Sequence, residues 1–438
     1  MNRNLTYLIL LILAPMVDAQ KATIKEEYRE IATYPFSDPN PVAEFSSKKG
    51  RIYPYHTFDG YSYTPRMQKW KVVKMENDFI EVYVLPEVGG KVWGAIEKQS
   101  GKEFIYRNEV LKFRNIAMRG PWTSGGIEFN FGLIGHAPST STPVDYTIRV
   151  NEDSSVSCIV GTMDLPSRTF WTVEIRLPAN KAYFETRSTW YNHTSIPQSY
   201  YSWMNAAAAA GKDLEFYYPG NLYLDHDGQA NAWPFDKKGR NLSKYTDNAF
   251  GNDKSYHVVG IYKSFFGGYY HFADFGFGHW SLYDEMPGKK LWLWSLARSG
   301  GIWEDLLTDN DGQYIEFQSG RTFNQYQPSA YIKTPITQMG FSPQTADQWT
   351  DIWFPVIKTR GITDVSPYGI LHVVKGKDNY EIRINALSYA RGKLIVSTPS
   401  KILFSQELEM KPMEVFITDV STEMDSITDI RVEGMDLE

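Results

Sequence analysis

Cysteine, histidine and cofactor-binding motifs are scarce in this chain of 438 residues. Cys158 is the only cysteine, so no disulfide can form within the chain and a large core must supply the stability. The 8 histidines show no HxH or HExxH spacing, which argues against a transition-metal site. No glycine-rich loop has the spacing that binds nucleotides, and no GxSxG elbow occurs. We therefore expect neither a transition metal nor a cofactor, and a structural calcium ion stays open.

Strong positive charge and long apolar runs are also missing. The net charge is -6, which does not fit a large nucleic-acid-binding surface. One marked apolar run, Leu5 to Val17, is shorter than a comfortable membrane span. Because Arg3 precedes this run and small residues occupy Val17 and Ala19, it is typical of a secretion signal; the alternative is a single N-terminal anchor. We predict a signal peptide over residues 1–19, a mature chain that starts at Gln20 without a membrane span, and a periplasmic or extracellular location.

Aromatic residues, by contrast, are abundant: 13 Trp, 29 Tyr and 24 Phe make up 15% of the chain. Aromatic and β-branched residues favour strands, and Trp and Tyr also offer flat faces that stack on sugar rings. Ile80, Val82 and Val84 recur with the period of two that is typical of a strand. Helical periodicity is nearly absent. The sequence thus predicts an all-β protein, in which the alanine run from Ala206 to Ala210 ends a strand.

Residues typical of turns separate the predicted strands and mark a boundary between two domains. The segment Pro178-Ala179-Asn180-Lys181 is predicted to join two antiparallel strands, because proline presets the backbone angle of a turn. Farther along, Gly361 and Pro367 interrupt the strand pattern. We predict a large β domain over residues 20–360 and a small accessory β-sandwich over residues 361–438, similar in size to an immunoglobulin-like unit.

The first candidate site lies in the segment Gly126 to Phe131 and the loop after it. Side chains alternate along a strand, so the apolar residues of this segment share one face, while Glu128 and Asn130 share the other. His136 follows in a loop with Gly and Pro. Binding and catalytic sites often combine charged groups with aromatic residues at the end of a strand where a loop begins. We hypothesise that Glu128 and His136 face a polar ligand; the alternative is a solvated strand face with a loop histidine.

The second candidate segment runs from Leu291 to Asn324. In its predicted strand, Glu316 shares a face with Tyr314 and Gln318. Two carboxylates in partly apolar surroundings can have separated pKa values, as acid/base catalysis requires. The alternative is a structural ion pair with an arginine. The candidate ligand-holding residues in this segment are Arg298, Trp303, Glu304 and Asn324, and those elsewhere are Trp122, Asn130, Trp203 and His271.

Several motifs occur in an order that resembles one known family. They are Thr33-Tyr34-Pro35, Leu85-Pro86-Glu87-Val88-Gly89-Gly90, Tyr106-Arg107-Asn108 and Gly125-Gly126-Ile127-Glu128-Phe129-Asn130. Together they resemble the family called domain of unknown function 5107. The resemblance implies a galactose mutarotase-like β-supersandwich, in which Glu316 looks like the glutamate base and His136 like the loop histidine. Where a second mutarotase histidine is expected, this chain has Trp203-Met204-Asn205-Ala206.

These features together predict a secreted carbohydrate-active enzyme. The first hypothesis is a glycoside hydrolase with Glu316 and Glu128 as the acid/base pair. In this hypothesis the sugar stacks on Trp122, Trp203 or Trp303. The second hypothesis is a sugar epimerase or mutarotase with Glu316 as base and His136 as acid, and the third is a non-catalytic carbohydrate-binding protein. The sugar, its linkage and the oligomeric state stay open.

Overall fold

The computed structural model of the chain describes residues 21–42, 56–116, 120–132, 135–297, 302–309, 311–325, 339–421 and 429–438. The predicted signal peptide and Arg298 lie outside these residues, and only the backbone of Trp303 is described. Strands dominate the described part, as the all-β prediction requires. Within it, no helix has the length and apolar character that a bilayer crossing needs.

The elements are numbered in chain order. The strands before residue 210 are β1 (Thr23–Tyr34), β2 (Arg66–Glu76), β3 (Ile80–Leu85), β4 (Lys91–Glu97), β5 (Glu103–Ile105), β6 (Val110–Lys112), β7 (Ile127–Gly132), β8 (Asp145–Val150), β9 (Val156–Met163), β10 (Phe170–Leu177), β11 (Phe184–Asn192) and β12 (Gln198–Ala209). The next strands are β13 (Leu214–Tyr217), β14 (Gly220–Leu224), β15 (Ala230–Ala232), β16 (Lys254–Gly260), β17 (Phe265–Tyr270), β18 (Phe275–Trp280), β19 (Gly288–Leu293), β20 (Tyr314–Gly320), β21 (Met339–Phe341) and β22 (Thr345–Ile357). The C-terminal strands are β23 (Asp364–Ser366), β24 (Gly369–Lys375), β25 (Asn379–Ala386), β26 (Ala390–Ser397), β27 (Ile402–Met410), β28 (Val415–Ser421) and β29 (Asp429–Glu433). The helical elements are α1 (Ile302–Leu307) and two short 3-10 helices, Pro138–Ser141 and Tyr245–Asn248.

Among the described strands, 14 form one sheet, called the large sheet. Its order is β15-β14-β16-β19-β20-β12-β7-β4-β3-β2-β1-β6, with β21 beside β12 and β5 beside β4. The alternation predicted for β3 is confirmed. Ile80, Val82 and Val84 enter the main core, whereas Tyr83 and Leu85 pack on the opposite face of the sheet.

A second sheet, called the facing sheet, has the order β13-β17-β18-β22-β11-β10-β9-β8 among the described strands. The two sheets pack face to face and bury one main hydrophobic core, in which Phe317 of β20 meets Trp353 of β22. The predicted turn at Pro178-Ala179-Asn180-Lys181 joins β10 to the antiparallel β11. Cys158 of β9 lies in this core, where burial raises the pKa of its thiol to about 12.

The alanine run forms a strand, as predicted. It is the end of β12, which continues to Ala209 between β7 and β20. Ala206 and Ala208 enter the main core, whereas Ala207 faces the opposite side of the large sheet. An alanine at this position leaves room on that side for the longer side chains of the neighbouring strands.

Helix α1 was not predicted from the sequence, which placed Glu304 in a strand-rich stretch. Tertiary contacts hold the helix, as is expected for so short a segment. The carbonyl oxygen of Leu307 accepts hydrogen bonds from Asn108 Nδ2 at 2.8 Å and from Ser124 Oγ at 3.2 Å. The helix therefore covers the face of the large sheet that Ala207 shares.

The C-terminal strands form two smaller sheets, ordered β23-β24-β25-β28 and β27-β26-β29 in the described part. These sheets share a hydrophobic core that includes Leu371, Ile384 and Val396. Another hydrophobic cluster connects them to the facing sheet, because Phe354 of β22 and Ile370 of β24 belong to it together.

Candidate active site

One face of the large sheet carries a row of polar side chains that crosses β16, β19, β20, β12 and β7. Directly paired residues of adjacent antiparallel strands lie on the same face. Along the row the paired residues are His257, Lys290, Gln318, Asn205 and Glu128. Glu316 lies two residues from Gln318 on β20, and Asn130 lies two residues from Glu128 on β7. Both therefore point to the same face of the sheet as the paired residues. We call these seven residues the polar row.

The polar row is deeply buried, with exposed fractions between 0% and 6%. Burying a charged group costs several kcal/mol unless it is paired or hydrogen-bonded. Clusters of this kind are more typical of functional sites than of stabilising cores. The polar row is therefore the candidate active site, and it joins the two segments that the sequence singled out.

Glycine at position 126 allows β7 to begin where it does. The backbone of Gly126 has a φ of 70°, in the left-handed region that other residues rarely adopt. A Cβ atom there would lie 2.0 Å from the carbonyl oxygen of Val92, on the neighbouring strand. Only glycine permits this close approach, which brings Glu128 beside β4 and β12.

The carboxylate of Glu128 accepts hydrogen bonds from several donors. Its Oε1 lies 2.9 Å from Nδ1 of His136. Its Oε2 accepts hydrogen bonds from Trp122 Nε1 at 3.0 Å and from Asn205 Nδ2 at 3.3 Å. Both oxygens are thus engaged, which holds the carboxylate in one orientation.

His136 is held over the polar row by its loop. Its backbone has a φ of 55°, in the left-handed region. The next residue, Ala137, donates its backbone N–H to Asn130 Oδ1 at 2.6 Å, which fixes the loop to β7. The ring of Trp122 packs edge-on against the imidazole, with 5.0 Å between the ring centroids. Nδ1 faces Glu128, so Nε2 is the ring nitrogen that remains for proton transfer.

The pKa values of Glu128 and His136 are shifted in opposite directions. Burial alone raises the pKa of Glu128, but the charge and hydrogen bond of His136 outweigh it and hold that pKa below its ordinary value. Burial lowers the pKa of His136, but the charge and hydrogen bond of Glu128 outweigh it and raise that pKa. Each shift favours the charged form of its group, so the two shifts together favour a carboxylate–imidazolium pair.

This pair predicts a pH window in the stability of the protein. Glu128 contributes stability above its unfolded pKa near 4.5, and this contribution is lost as the pH falls through its lowered folded pKa. His136 contributes below its unfolded pKa near 6.5, and this contribution is lost as the pH rises through its raised folded pKa. We expect His136→Asn, which suits the left-handed backbone, to cost about 2 kcal/mol between these pH values and less on either side. Denaturant unfolding across pH 3 to 9 measures this, and a pH-independent cost would contradict the pairing.

Glu316 lies in a different environment. Its Oε1 accepts a hydrogen bond from the Tyr314 hydroxyl at 3.1 Å, and its Oε2 accepts one from Gln318 Nε2 at 2.8 Å. Burial raises the pKa of Glu316 above its ordinary value, and the charge of Glu128 adds to this effect, although His136 and Lys290 oppose it. A carboxyl with a raised pKa can exchange protons nearer to neutral pH.

A chain of hydrogen bonds connects Glu316 to Lys290. The ammonium group of Lys290 donates to Gln325 Oε1 at 2.5 Å. The side-chain amide of Gln325 donates in turn to Gln318 Oε1, and Gln318 donates to Glu316. Burial lowers the pKa of Lys290 to about 7.

His257 anchors the backbone at the end of this chain. Its Nε2 accepts the backbone N–H of Gln325 at 3.0 Å, and its Nδ1 lies 2.9 Å from the carbonyl oxygen of Leu224. Nδ1 must therefore carry the proton, and the ring is neutral. Burial lowers the pKa of His257 well below its ordinary value, and it lowers that of the adjacent His226 to about 3.

A second buried lysine lies at the start of β4. The ammonium group of Lys91 donates to the backbone carbonyl oxygens of Thr123 at 3.2 Å and Ser124 at 3.4 Å. Burial lowers the pKa of Lys91 to about 8, and the charges of Glu128 and Glu316 oppose this shift. The site thus combines two carboxylates with three groups that can carry positive charge.

Several polar atoms in and beside the polar row are buried without a hydrogen-bond partner among the described residues. They are Asn205 Oδ1, Trp203 Nε1 and Trp292 Nε1. Native proteins rarely leave buried polar atoms unpaired, because each one costs about 1–3 kcal/mol. Unpaired donors and acceptors beside buried carboxylates suit a ligand that is rich in hydroxyl groups.

Trp122 and Trp203 reach the site, but neither offers an open face for a sugar in this structure. Trp122 is 3% exposed and donates to Glu128, whereas Trp203 is 1% exposed. The indole of Trp203 lies on Gly320, where a Cβ atom would approach its Cδ2 to 2.3 Å. In this structure both residues pack against the site and orient it, and stacking of a sugar on them stays a prediction.

Other residues predicted from the sequence lie beside or away from the polar row. Asn324 precedes Gln325, and its Nδ2 donates to the carbonyl oxygen of Asp225 at 3.2 Å. His271 follows β17 of the facing sheet and pairs with Glu215 at 2.9 Å. Glu304 lies on helix α1 rather than on a strand that faces β20.

Sequence reasoning missed the two lysines, Gln325 and the central role of Asn205. Lysine in a strand usually indicates a solvent-facing position. Lys290 and Trp292 alternate with leucines along β19, and this pattern predicts that both side chains lie on one face of the strand. Gln325 could not be found in this way, because it follows β20 in a loop.

The two sheets stack face to face in a large β-sandwich, and the polar row lies on the face of the large sheet opposite the main core. Residues 47–356 match the family described as Domain of unknown function (DUF5107). The chain therefore belongs to that family, as the sequence motifs predicted.

Solved structures show similarity of fold. A TPR-domain containing protein from Parabacteroides distasonis is 23% identical, with a TM-score of 0.67. The match covers 79% of this chain but only 56% of that protein. A galactose mutarotase-like protein from Clostridium acetobutylicum is 10% identical, with a TM-score of 0.49, over 66% of this chain and 96% of its own length.

Proposed function

We propose that the protein is a carbohydrate-active enzyme that interconverts the anomers of a sugar, with Glu316 as the base and His136 as the acid. The observation that carries this proposal is the division of roles among the buried groups. Glu128 favours the imidazolium form of His136 by raising its pKa, and burial keeps the pKa of Glu316 above its ordinary value. A proton donor and a proton acceptor thus lie on the same sheet face.

In the proposed reaction, Glu316 removes the proton from the anomeric hydroxyl while His136 protonates the ring oxygen. The ring C–O bond breaks, and the anomeric C–O bond becomes a carbonyl. The open-chain aldehyde then rotates about the bond to its neighbouring carbon. The reversed proton transfers close the ring with the other configuration, so both residues return to their starting states and no co-reactant is consumed.

Glycoside hydrolysis is the second candidate. It is favoured by the opposite pKa shifts of Glu316 and Glu128, since a hydrolase needs one protonated carboxyl and one carboxylate. The hydrogen bonds to Glu128 weigh against it, because they occupy both oxygens of the group that would activate water or attack carbon. The third candidate, non-catalytic sugar binding, uses the same buried polar surface.

An experiment with free sugars and glycans separates these candidates. Exchange between α and β anomers is measured by magnetisation-transfer NMR, with and without the enzyme, for a panel of neutral and acidic monosaccharides. Product release from plant, algal and host glycans is measured in parallel. Faster anomer exchange without glycan cleavage supports the proposal, and release of sugar from a glycan supports hydrolysis. Saturable binding without exchange or cleavage supports the non-catalytic sugar-binding protein.

We also propose that the protein acts in the periplasm or outside the cell, after removal of residues 1–19. The support is the short apolar run from Leu5 to Val17, with small residues at Val17 and Ala19. Expression in a Gram-negative host, followed by N-terminal sequencing, is expected to give a mature protein that begins at Gln20. Recovery of uncleaved chain from the membrane fraction would favour the anchor.

A further inference from the structure

The two lysines of the site are buried without an ion pair among the described residues. Lys91 is 3% exposed and Lys290 is 2% exposed. Within the described residues, Lys91 donates to backbone carbonyls and Lys290 to an amide oxygen, and neither forms an ion pair. Lys112, which is similarly buried, does pair with a carboxylate, that of Asp309. Lys289 and Lys254 are also buried and donate to backbone carbonyl oxygens. What distinguishes the site lysines is that both lie within electrostatic reach of the Glu316 carboxylate.

When Lys91, Lys290 and His136 are all protonated, the site contains three cationic groups and two carboxylates. His136 neutralises Glu128, which leaves Glu316 as the anionic counterpart of both Lys91 and Lys290. An uncompensated charge in a buried site is costly. An anionic group on the ligand would supply the missing negative charge.

Lys290 is better placed than Lys91 to meet that group. The Lys91 ammonium is bound to two backbone carbonyl oxygens, whereas the Lys290 ammonium donates to the single acceptor Gln325 Oε1 within the described part. An ammonium has three donors, so Lys290 retains capacity for a ligand. The ring of Trp292, 5.0 Å from the Lys290 ammonium, forms an adjacent wall of the site.

We infer that the site takes an acidic sugar, one that carries a carboxylate or a sulfate group, and that Lys290 recognises this anionic group. The inference rests on the proposed function, because it names the substrate class of the same site. A charge-assisted hydrogen bond to a desolvated ammonium favours the acidic sugar over its neutral counterpart.

The test compares matched sugars at pH 6, below the pKa of about 7 that burial gives Lys290. Affinity is measured by calorimetry for glucuronate against glucose, galacturonate against galactose, and glucose 6-sulfate against glucose. We expect wild type to bind the acidic member of at least one pair about ten- to a hundred-fold more tightly. The carboxylate and sulfate pairs distinguish the two anionic groups.

Substitution of the lysine identifies the residue responsible. Lys290→Met is expected to lower the ratio of the affinities for the acidic and the neutral sugar from about ten- to a hundred-fold to about one. Lys289→Met is the matched control, because Lys289 is also 2% exposed and has a pKa lowered by burial to about 7, but it faces the other side of β19. This control is expected to retain the preference.

The possible outcomes separate the inference from the proposed function. Equal or tighter binding of the neutral sugars, or an equal loss for both classes in Lys290→Met, overturns the inference. If the wild-type protein then exchanges the anomers of a neutral sugar, the proposed function stands although the inference of an acidic substrate fails. Selective binding of an acidic sugar without anomer exchange supports the inference and overturns the proposed reaction. If none of these sugars binds, both are overturned.

Discussion

Glu316→Gln is expected to lower the rate of anomer exchange by about a hundred- to ten-thousand-fold. The amide keeps the size of the side chain and can accept the hydrogen bond from Tyr314, but it cannot remove a proton from a sugar hydroxyl. Binding of the sugar should change far less than turnover, because the neighbouring groups of the polar row remain. The measurement is the exchange rate at saturating sugar, together with the apparent affinity.

The matched control for this substitution is Glu304→Gln on helix α1. The sequence predicts Glu304 as a ligand-holding residue rather than as the base, and the structure places it on a helix and outside the polar row. The control should retain nearly full activity. Equal activity of wild type and Glu316→Gln, with both proteins folded by circular dichroism, would remove Glu316 from the mechanism. An equal loss in both variants would point to a general structural effect.

Asp351→Ala is expected to reduce the free energy of unfolding by about 3–5 kcal/mol. Asp351 of β22 lies 2.6 Å from Nε2 of His279 on β18, and the side chains are 0% and 2% exposed. The imidazole stacks on Phe266, with 4.4 Å between ring centroids, inside the region between the sheets. Removal of the carboxylate leaves a buried imidazole without its partner, which is why the cost is large.

Two comparisons sharpen this stability measurement. Asp153→Ala removes a carboxylate that is 57% exposed and pairs with Arg176, and it should cost about 1 kcal/mol or less. The double replacement His279→Leu with Asp351→Leu should recover part of the stability, because apolar side chains can fill the space of a buried polar pair. A cost for Asp351→Ala no larger than that for Asp153→Ala would show that burial of the pair does not matter.

The strands could be predicted because each one is a local pattern. Alternation in β3 and the turn residues at Pro178 and Asn180 depend on neighbours in sequence, and the structure confirms both. Helix α1 could not be predicted in this way. Its segment is too short for a helical period, and contacts from Asn108 and Ser124, remote in sequence, hold it in place.

The candidate site was only partly predictable for a related reason. Alternation correctly put Glu128 with Asn130, and Glu316 with Gln318, on common faces. The two segments come together because β7 pairs with β12 and β12 pairs with β20. The residues of either segment alone do not specify this strand order. The burial of Lys290 likewise depends on that order rather than on its neighbours in sequence.

The buried Cys158 gives the protein an intrinsic reporter of the opening of β9, next to the edge strand β8 of the facing sheet. A thiol reagent can reach its sulfur only when β9 separates from its neighbours and the main core is exposed. Because the chain contains no second cysteine, labelling under native conditions would record that event alone. Under conditions where reclosing outpaces the reagent, the labelling rate measures the open population, without any introduced dye or mutation.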